Sequence, residues 1–539
     1  MHCRRFPIAD LGQPQPLDSK SMSMKSKSAG MQRRAYSRKK LNQETAGRKT
    51  LRAEVIVVGG GPAGSVLAWD LSRRGVKVLL IDRARFPREK VCGDYIEPRG
   101  LRLLDQMGCL KNLEGDSPLP ITHSATYVNS ERCYQGKIPF YGLHEDLPPH
   151  GYIVPRERLD HLLLETAARA GTEVLENTYA HGFSVERDGV YIHTERNRRR
   201  DRYRSDLVVG ADGVNSVVAR SAGLLVEDPR HIALSQRAYA EGFDGKLGEA
   251  AFFFDKDFFP GYGWVFPMAG GRVNLGVGIS SETCQRQSIK IPALFNTFLK
   301  KLQRSHPRCL KLRLCGPPIG GIVKTYGGAG PNYFTRGLLI GDAGCFVDPM
   351  TGEGITPAME SALIAAPIIL NALSKASFES EDMAPFEAEF RRYFDPSMVF
   401  LDLCAASLRN THFKNSWLHA VARGCEKSQR DPHYARTLGA CFGGLEINPP
   451  GILSQIWVGM ALELVTLGPR SVAAFFEAHP SPMFQGMRDI IGWQSDWWNS
   501  LLADPLWHFQ WSLDLERKWV HALAVMKDAV ADPRAQGLA

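Results

Sequence analysis

The stretch Ala53-Glu54-Val55-Ile56-Val57-Val58, followed by Gly59-Gly60-Gly61-Pro62-Ala63-Gly64, decides how this chain folds. A β-branched run ending in glycines predicts a parallel strand buried on both faces. Helical spacing then predicts a helix over Ala63–Arg74, stopped at Gly75, and Val76–Ile81 predicts a second buried strand. The result is a β-α-β unit of about thirty residues. Its glycines fit G-x-G-x-x-G. Gly59 allows the tight turn, Gly61 lets the backbone approach a pyrophosphate, and Gly64 lets the helix lie close to the strand. Backbone amides at the helix start, which follows Gly61 and Pro62, would receive the phosphate charge. Asp82 ends the second strand 23 residues after Gly59, where an acidic side chain accepts ribose hydroxyls. A glycine cluster alone fits an ordinary turn. Strand, helix, second strand and terminal acid together imply a dinucleotide.

Further segments bear on which dinucleotide. Leu207-Val208-Val209-Gly210-Ala211-Asp212-Gly213-Val214-Asn215-Ser216, then Arg220, is a buried strand ending in a turn. There Asp212, beside Gly213, can accept hydrogen bonds that order the nucleotide loop. Leu339-Ile340-Gly341-Asp342-Ala343-Gly344 runs on through Asp348-Pro349 and Thr351-Gly352-Glu353-Gly354-Ile355 into a long helix from about Pro357, with Pro367 expected to kink it. A glycine-rich helix start leaves amides free for an acceptor edge, and its dipole favours an anion there. Glu353 reads as a turn acceptor, with a catalytic acid as the alternative.

These segments resemble those of flavin aromatic hydroxylases, flavin halogenases and geranylgeranyl reductases, over roughly residues 53–375. The segment Arg83-Ala84-Arg85-Phe86-Pro87-Arg88-Glu89-Lys90-Val91-Cys92-Gly93-Asp94 is similar to its counterpart in the geranylgeranyl reductase family. The resemblance implies FAD, held by Gly59, Gly61, Pro62, Ala63, Gly64, Asp82, Arg83, Asp212, Gly213, Asp342, Gly352, Gly354 and Ile355. Asp342 would accept a ribityl hydroxyl. Arg156, in Arg156-Glu157-Arg158-Leu159-Asp160, resembles a helix-start arginine that contacts FAD; a solvated helix charge is the plainer reading. The implied architecture is α/β, a Rossmann-type FAD-binding domain with an inserted antiparallel-sheet substrate domain and a mostly helical C-terminal extension. Short alternating stretches put the substrate domain at about 120–150 and 230–330 within a unit spanning 51–400, with 401–539 as the extension.

Phe259-Pro260-Gly261-Tyr262-Gly263-Trp264-Val265-Phe266-Pro267 resembles the substrate-domain strand of geranylgeranyl reductases. Tyr262 and Phe266 stand where halogenases carry Trp and Ile, which argues against halogenation. An aromatic wall including Tyr262 and Trp264 suits a long apolar substrate, although aromatic residues in a strand also simply fill cores. The reductase family carries a cysteine at Cys92, where a thiol could donate a proton; a small buried hydrophobe is the alternative. Cys92, Tyr262 and Trp264 are therefore the candidate catalytic residues. The implied function is reduction of carbon–carbon double bonds in an isoprenoid, with NAD(P)H as electron donor. A flavin monooxygenase and a prenyl-binding carrier without flavin remain as alternatives.

Composition bounds the partners. Of 66 Lys and Arg residues, 13 fall in residues 1–52 with only three of the 57 Asp and Glu, so the rest is nearly neutral despite a formal charge of +9. That distribution argues against a nucleic-acid surface. The basic tail, residues 1–50, has no apolar run. It fits disorder, an early start codon with Met31 the true start, or an organelle transit peptide. Eleven scattered cysteines show no C-x-x-C pair or zinc spacing, which points to reduced thiols, no metal and a cytoplasmic protein. Ile456 to Leu467 contains Glu463 and is too short to span a bilayer. Seven of ten tryptophans follow residue 450, and Trp507, Trp511, Leu515 and Trp519 recur every fourth position. Such a face either caps the substrate domain or lies at a membrane interface.

Overall fold

Strand Val55–Val58 has only apolar side chains and pairs in parallel along both edges, Val55 lying opposite Leu207 on one side and Val78 on the other. In this computed structural model, which describes residues 52–138, 147–245, 248–328, 330–432 and 493–531, it is central to a six-stranded sheet. The order is Tyr333–Phe334, Gly337–Leu339, Leu207–Gly210, Val55–Val58, Val78–Ile81, Glu173–Leu175, parallel except for the edge hairpin. Alternation along a strand sends successive side chains to opposite faces. Val55 and Val57 join the core formed with helices Pro62–Ser72, Arg156–Arg169 and Ile355–Lys375, while Ile56 and Val58 pack beneath the antiparallel meander Tyr179–Ser205.

The first helix begins one residue earlier than the spacing predicts, because proline's fixed φ suits the first helical position. It ends at Ser72, and Gly75 turns the chain with φ 86°. Helix Ile355–Lys375 continues through Pro367. Among the described residues it alone is long and apolar enough to cross a membrane, and it is mostly buried in the core.

The two segments expected to form the substrate domain contribute to one eight-stranded sheet. One correction applies: that sheet is not wholly antiparallel. His123–Val128 and Glu249–Phe254 run parallel where the separate segments join. Here too alternation sorts the side chains. Phe253 and Val265 face helix Ile291–Ser305 with its Phe295 and Phe298, whereas Phe252, Trp264 and Phe266 face the first core.

The boundary expected at residue 400 falls inside helix Pro385–Leu408, which runs from the sheet core into the C-terminal region. Helix Pro505–Ala531 packs on it: Trp511 Nε1 donates to the Ala406 carbonyl at 2.9 Å, and Arg409 pairs with Asp514. Trp493 and Trp511 pack at a tilt against Phe413, and Leu515 joins the core. Leu506 and Phe509 of this helix are 69% and 60% exposed, Leu502 just before it is 75% exposed, and Trp498 and Trp519 are exposed as well. The basic tail, Ile456 to Leu467 and the Pro-containing stretches Asn448–Gly451 and His479–Pro482 lie outside the described residues.

Candidate active site

The glycine turn is built by close approach. Gly59 has φ 107°, and a Cβ there would sit 2.3 Å from the Ala211 carbonyl oxygen; one on Gly64 would sit 1.8 Å from the Gly59 carbonyl oxygen. The strand, helix and second element are in contact with no atom to spare. Gly61 differs: its nearest neighbour would be Arg88 Nη2 at 3.6 Å, so its outer face is open. Asp82 closes the turn from the neighbouring strand, accepting the Gly60 N–H through Oδ2 and the Ala84 N–H through Oδ1, each at 2.7 Å. Arg83 is exposed. Asp212 accepts from Ser216 Oγ at 2.5 Å and from the Val217 N–H at 2.6 Å, ordering the loop against Gly59 while Gly213 turns with φ 78°. Burial still pushes the Asp212 carboxyl above its ordinary range.

A cavity of about 450 Å³ brings the other predicted residues together. Pro62, Arg156, Asp342, Gly352, Gly354 and Ile355 line it, and so do Cys92, Tyr262 and Trp264. Gly59, Gly61, Ala63, Gly64, Asp82, Arg83, Asp212 and Gly213 lie around the turn instead, outside that lining. Arg156 is buried, which overturns the solvated-charge alternative. Its Nε and Nη2 donate to Asp160 at 2.8 and 2.9 Å, and Arg88 pairs with the same carboxylate at 3.0 Å. Asp342 is paired with Lys90 at 3.0 Å. Helix Ile355–Lys375 starts at Gly354 without a side-chain cap from that residue, beside Gly352 with φ 70°. Glu353 takes the turn-acceptor role, its Oε1 accepting the Thr356 N–H at 3.1 Å. The open Gly61 face, two helix N-termini and acids fixed at the strand ends fit a dinucleotide in an extended pose.

The aromatic wall is held by polar pins. Trp264 Nε1 donates to Asn274 Oδ1 at 3.0 Å, and Asn274 Nδ2 donates to the Cys92 carbonyl at 2.9 Å and to Asp94 Oδ2 at 2.8 Å. The Tyr262 hydroxyl donates to the Thr351 carbonyl. Trp264 is therefore both core and wall. Burial pushes the Cys92 thiol up, partly opposed by Arg156, so it is held protonated near neutral pH.

Several residues at this site escaped the sequence reading. Arg99 is buried among three carboxylates, 2.7 Å from Glu360, 3.2 Å from Glu97 and 3.8 Å from Glu353. Burial and the Glu353 charge hold Glu97 well above its ordinary range, and burial brings Glu353 to about 7. Arg88, which pairs with Asp160, carries no sequence signal beyond its place between Phe86 and Cys92.

A family model described as an FAD binding domain matches residues 52–240. Menaquinone reductase of Mycobacterium tuberculosis is 31% identical over 336 residues, covering 59% of this chain and 76% of that protein. Digeranylgeranylglycerophospholipid reductase 1 of Methanopyrus kandleri is 30% identical, covering 64% of this chain and 88% of that one. A solved geranylgeranyl bacteriochlorophyll reductase-like protein of Thermoplasma acidophilum shares the fold, with TM-score 0.61, 24% identity, and coverage of 69% of this chain and 92% of that one. Identity at this level across most of the relatives' length accords with the cradle and the aromatic wall: the chain belongs to the geranylgeranyl reductase family of FAD-dependent oxidoreductases.

Proposed function

We propose that the protein reduces carbon–carbon double bonds of a prenyl or other isoprenoid substrate, with NAD(P)H as the electron donor. One observation carries this reading. The cavity that holds the cradle residues Pro62, Arg156 and Gly354 continues past Phe252, Tyr262, Trp264 and Phe266 to Leu401, Leu418 and Val421. A slot with apolar walls suits an extended hydrocarbon and offers little to a polar aromatic. The names of the two reductases above accord with it.

Bound FAD supplies the redox chemistry. The protein's own task is positioning and protonation, because an unactivated alkene accepts hydride poorly. The aromatic wall aligns the chain, and the Cys92 thiol gives a proton to the carbon that does not receive hydride. The residues proposed to hold FAD are the turn from Gly59 to Gly64 with Asp82 and Arg83, then Arg156, Asp212, Gly213, Asp342, Gly352, Gly354 and Ile355. The reading is tested by photoreducing the flavin under argon and adding a polyprenyl alcohol. Reoxidation without air supports it, and reoxidation only on admitting air contradicts it.

The same reading places the protein in the cytoplasm at a membrane surface, from which a prenyl chain can be drawn. The apolar side around Leu502, Leu506 and Phe509 is the proposed contact. Leu506→Glu with Phe509→Glu should abolish co-sedimentation with lipid vesicles while FAD content stays unchanged. Equal sedimentation of both proteins would remove this contact from the proposal.

A further inference from the structure

The segment that carries Cys92 meets strands Ile232–Glu241 and Arg272–Ser280 at one carboxylate. Asp94 is fully buried, lines the cavity, and has left-handed backbone with φ 63°. A non-glycine residue keeps that conformation only where its surroundings impose it. Here Oδ2 accepts from the Tyr239 hydroxyl at 2.5 Å and Asn274 Nδ2 at 2.8 Å, and the Asp94 carbonyl accepts the Val154 N–H at 2.8 Å. Oδ1 is buried and has no hydrogen-bond partner among the described residues. A buried ionised oxygen without a donor is costly; a proton on it removes that cost and makes it a donor. Cys92, two residues away, lines the same cavity, and Asn274 binds the backbone of one and the side chain of the other.

We propose that Asp94 is the positioning acid of this site, returning a proton to the Cys92 thiol after the thiol has protonated the substrate. The inference rests on alkene reduction as proposed above. In that reaction the π bond breaks, one carbon takes the hydride equivalent supplied by the reduced cofactor, and the other takes the proton of Cys92. The resulting thiolate takes the Asp94 proton, and the carboxylate left behind is reprotonated from water. The charged and titratable groups facing Asp94 are Arg237 and Tyr239 from strand Ile232–Glu241, Arg156 from its helix, and Cys92. Arg237 is paired with Glu89 and Arg156 with Asp160. Burial outweighs them and brings the Asp94 carboxyl to about 6. The acid therefore holds its proton below that pH and loses it above.

The test uses the full FAD-loaded chain, photoreduced under argon and mixed with geranylgeraniol from pH 5 to 8. Wild-type reoxidation should slow as pH rises through about 6; Asp94→Asn should be slower by about tenfold or more and nearly flat with pH, and Asp94→Glu should restore the slope. A second readout needs no turnover: peptide-resolved alkylation of Cys92 by iodoacetamide in the oxidised protein. Losing the neighbouring anion in Asp94→Asn should move its midpoint to lower pH. An Asn variant with the wild-type profile and midpoint overturns the proposal. If Asp94→Asn does not fold, Tyr239→Phe removes one donor from Oδ2 and should move the pH at which reoxidation slows upward from the wild-type value; an unshifted reoxidation profile counts against the proposal. Failure of the wild type to reoxidise with alkene sinks the reductase reading, while the alkylation arm still judges Asp94.

Discussion

Gly64→Val should yield a protein that purifies without FAD. A Cβ at Gly64 would lie 1.8 Å from the Gly59 carbonyl oxygen and 3.2 Å from the Ala211 Cβ. The first of these is backbone and cannot rotate away, so helix Pro62–Ser72 must retreat from the sheet. That motion opens the glycine turn and strips several buried contacts from Val66 and Leu67. Overpacking in a tight core costs about 1–3 kcal/mol, and the backbone clash puts this case at the upper end or beyond. Gly61→Ala is the informative contrast, since its Cβ meets nothing nearer than 3.6 Å. It should leave the melting temperature of the FAD-free protein unchanged and weaken FAD binding, because the added methyl occupies the pyrophosphate's approach. The absorbance ratio of flavin to protein and a melting curve without FAD separate the two. Equal loss of folding in both variants would show that Gly61 serves packing rather than cofactor approach.

Arg99→Met should destabilise the protein by about 3–5 kcal/mol at pH 8, because it leaves buried carboxylates without their cation. Glu97, Glu353 and Glu360 surround the guanidinium, and Glu360 Oε2 already lacks a partner among the described residues. The pH dependence follows from direction. Glu97 and Glu353 are held above their ordinary values, Glu353 at about 7, so the folded protein binds more protons than the unfolded one. Such groups cost stability increasingly as pH rises from the unfolded value of 4.5 through the folded one. Without Arg99 the folded values move higher still. The stability gap between variant and wild type should therefore be widest at pH 8 and narrow towards pH 5, as chemical denaturation at each pH will show. A gap independent of pH would mean that lost packing, not charge, accounts for the effect.

What was legible in the sequence was a local pattern. Val55 to Gly64 announces strand, turn and helix in consecutive residues, although the strand is buried by Leu207 and Val78 and Gly59 lies against Ala211, all farther along the chain. The aromatic wall was half legible: alternation puts Trp264 and Phe266 on one face, but nothing nearby says whether that face meets core or cavity. The polar hub could not be read, because Asp94 meets Tyr239 and Asn274 across 145 and 180 residues of chain. Arg99 finds Glu360 across 261. Strand patterns do not encode partner direction either, so the parallel junction of His123–Val128 with Glu249–Phe254 emerged only from the fold. Helical periodicity likewise carries no mark of domain limits, and Pro385–Leu408 runs through the expected one.

Alkene reduction in the cavity beside Cys92, Tyr262 and Trp264 is read from product mass after the FAD-loaded protein, NADPH and a polyprenyl alcohol are incubated under argon. The expected product is heavier by about 2 mass units for each double bond reduced and forms equally well without oxygen. A product heavier by about 16 units, formed only in air, would contradict it and assign the same fold to hydroxylation.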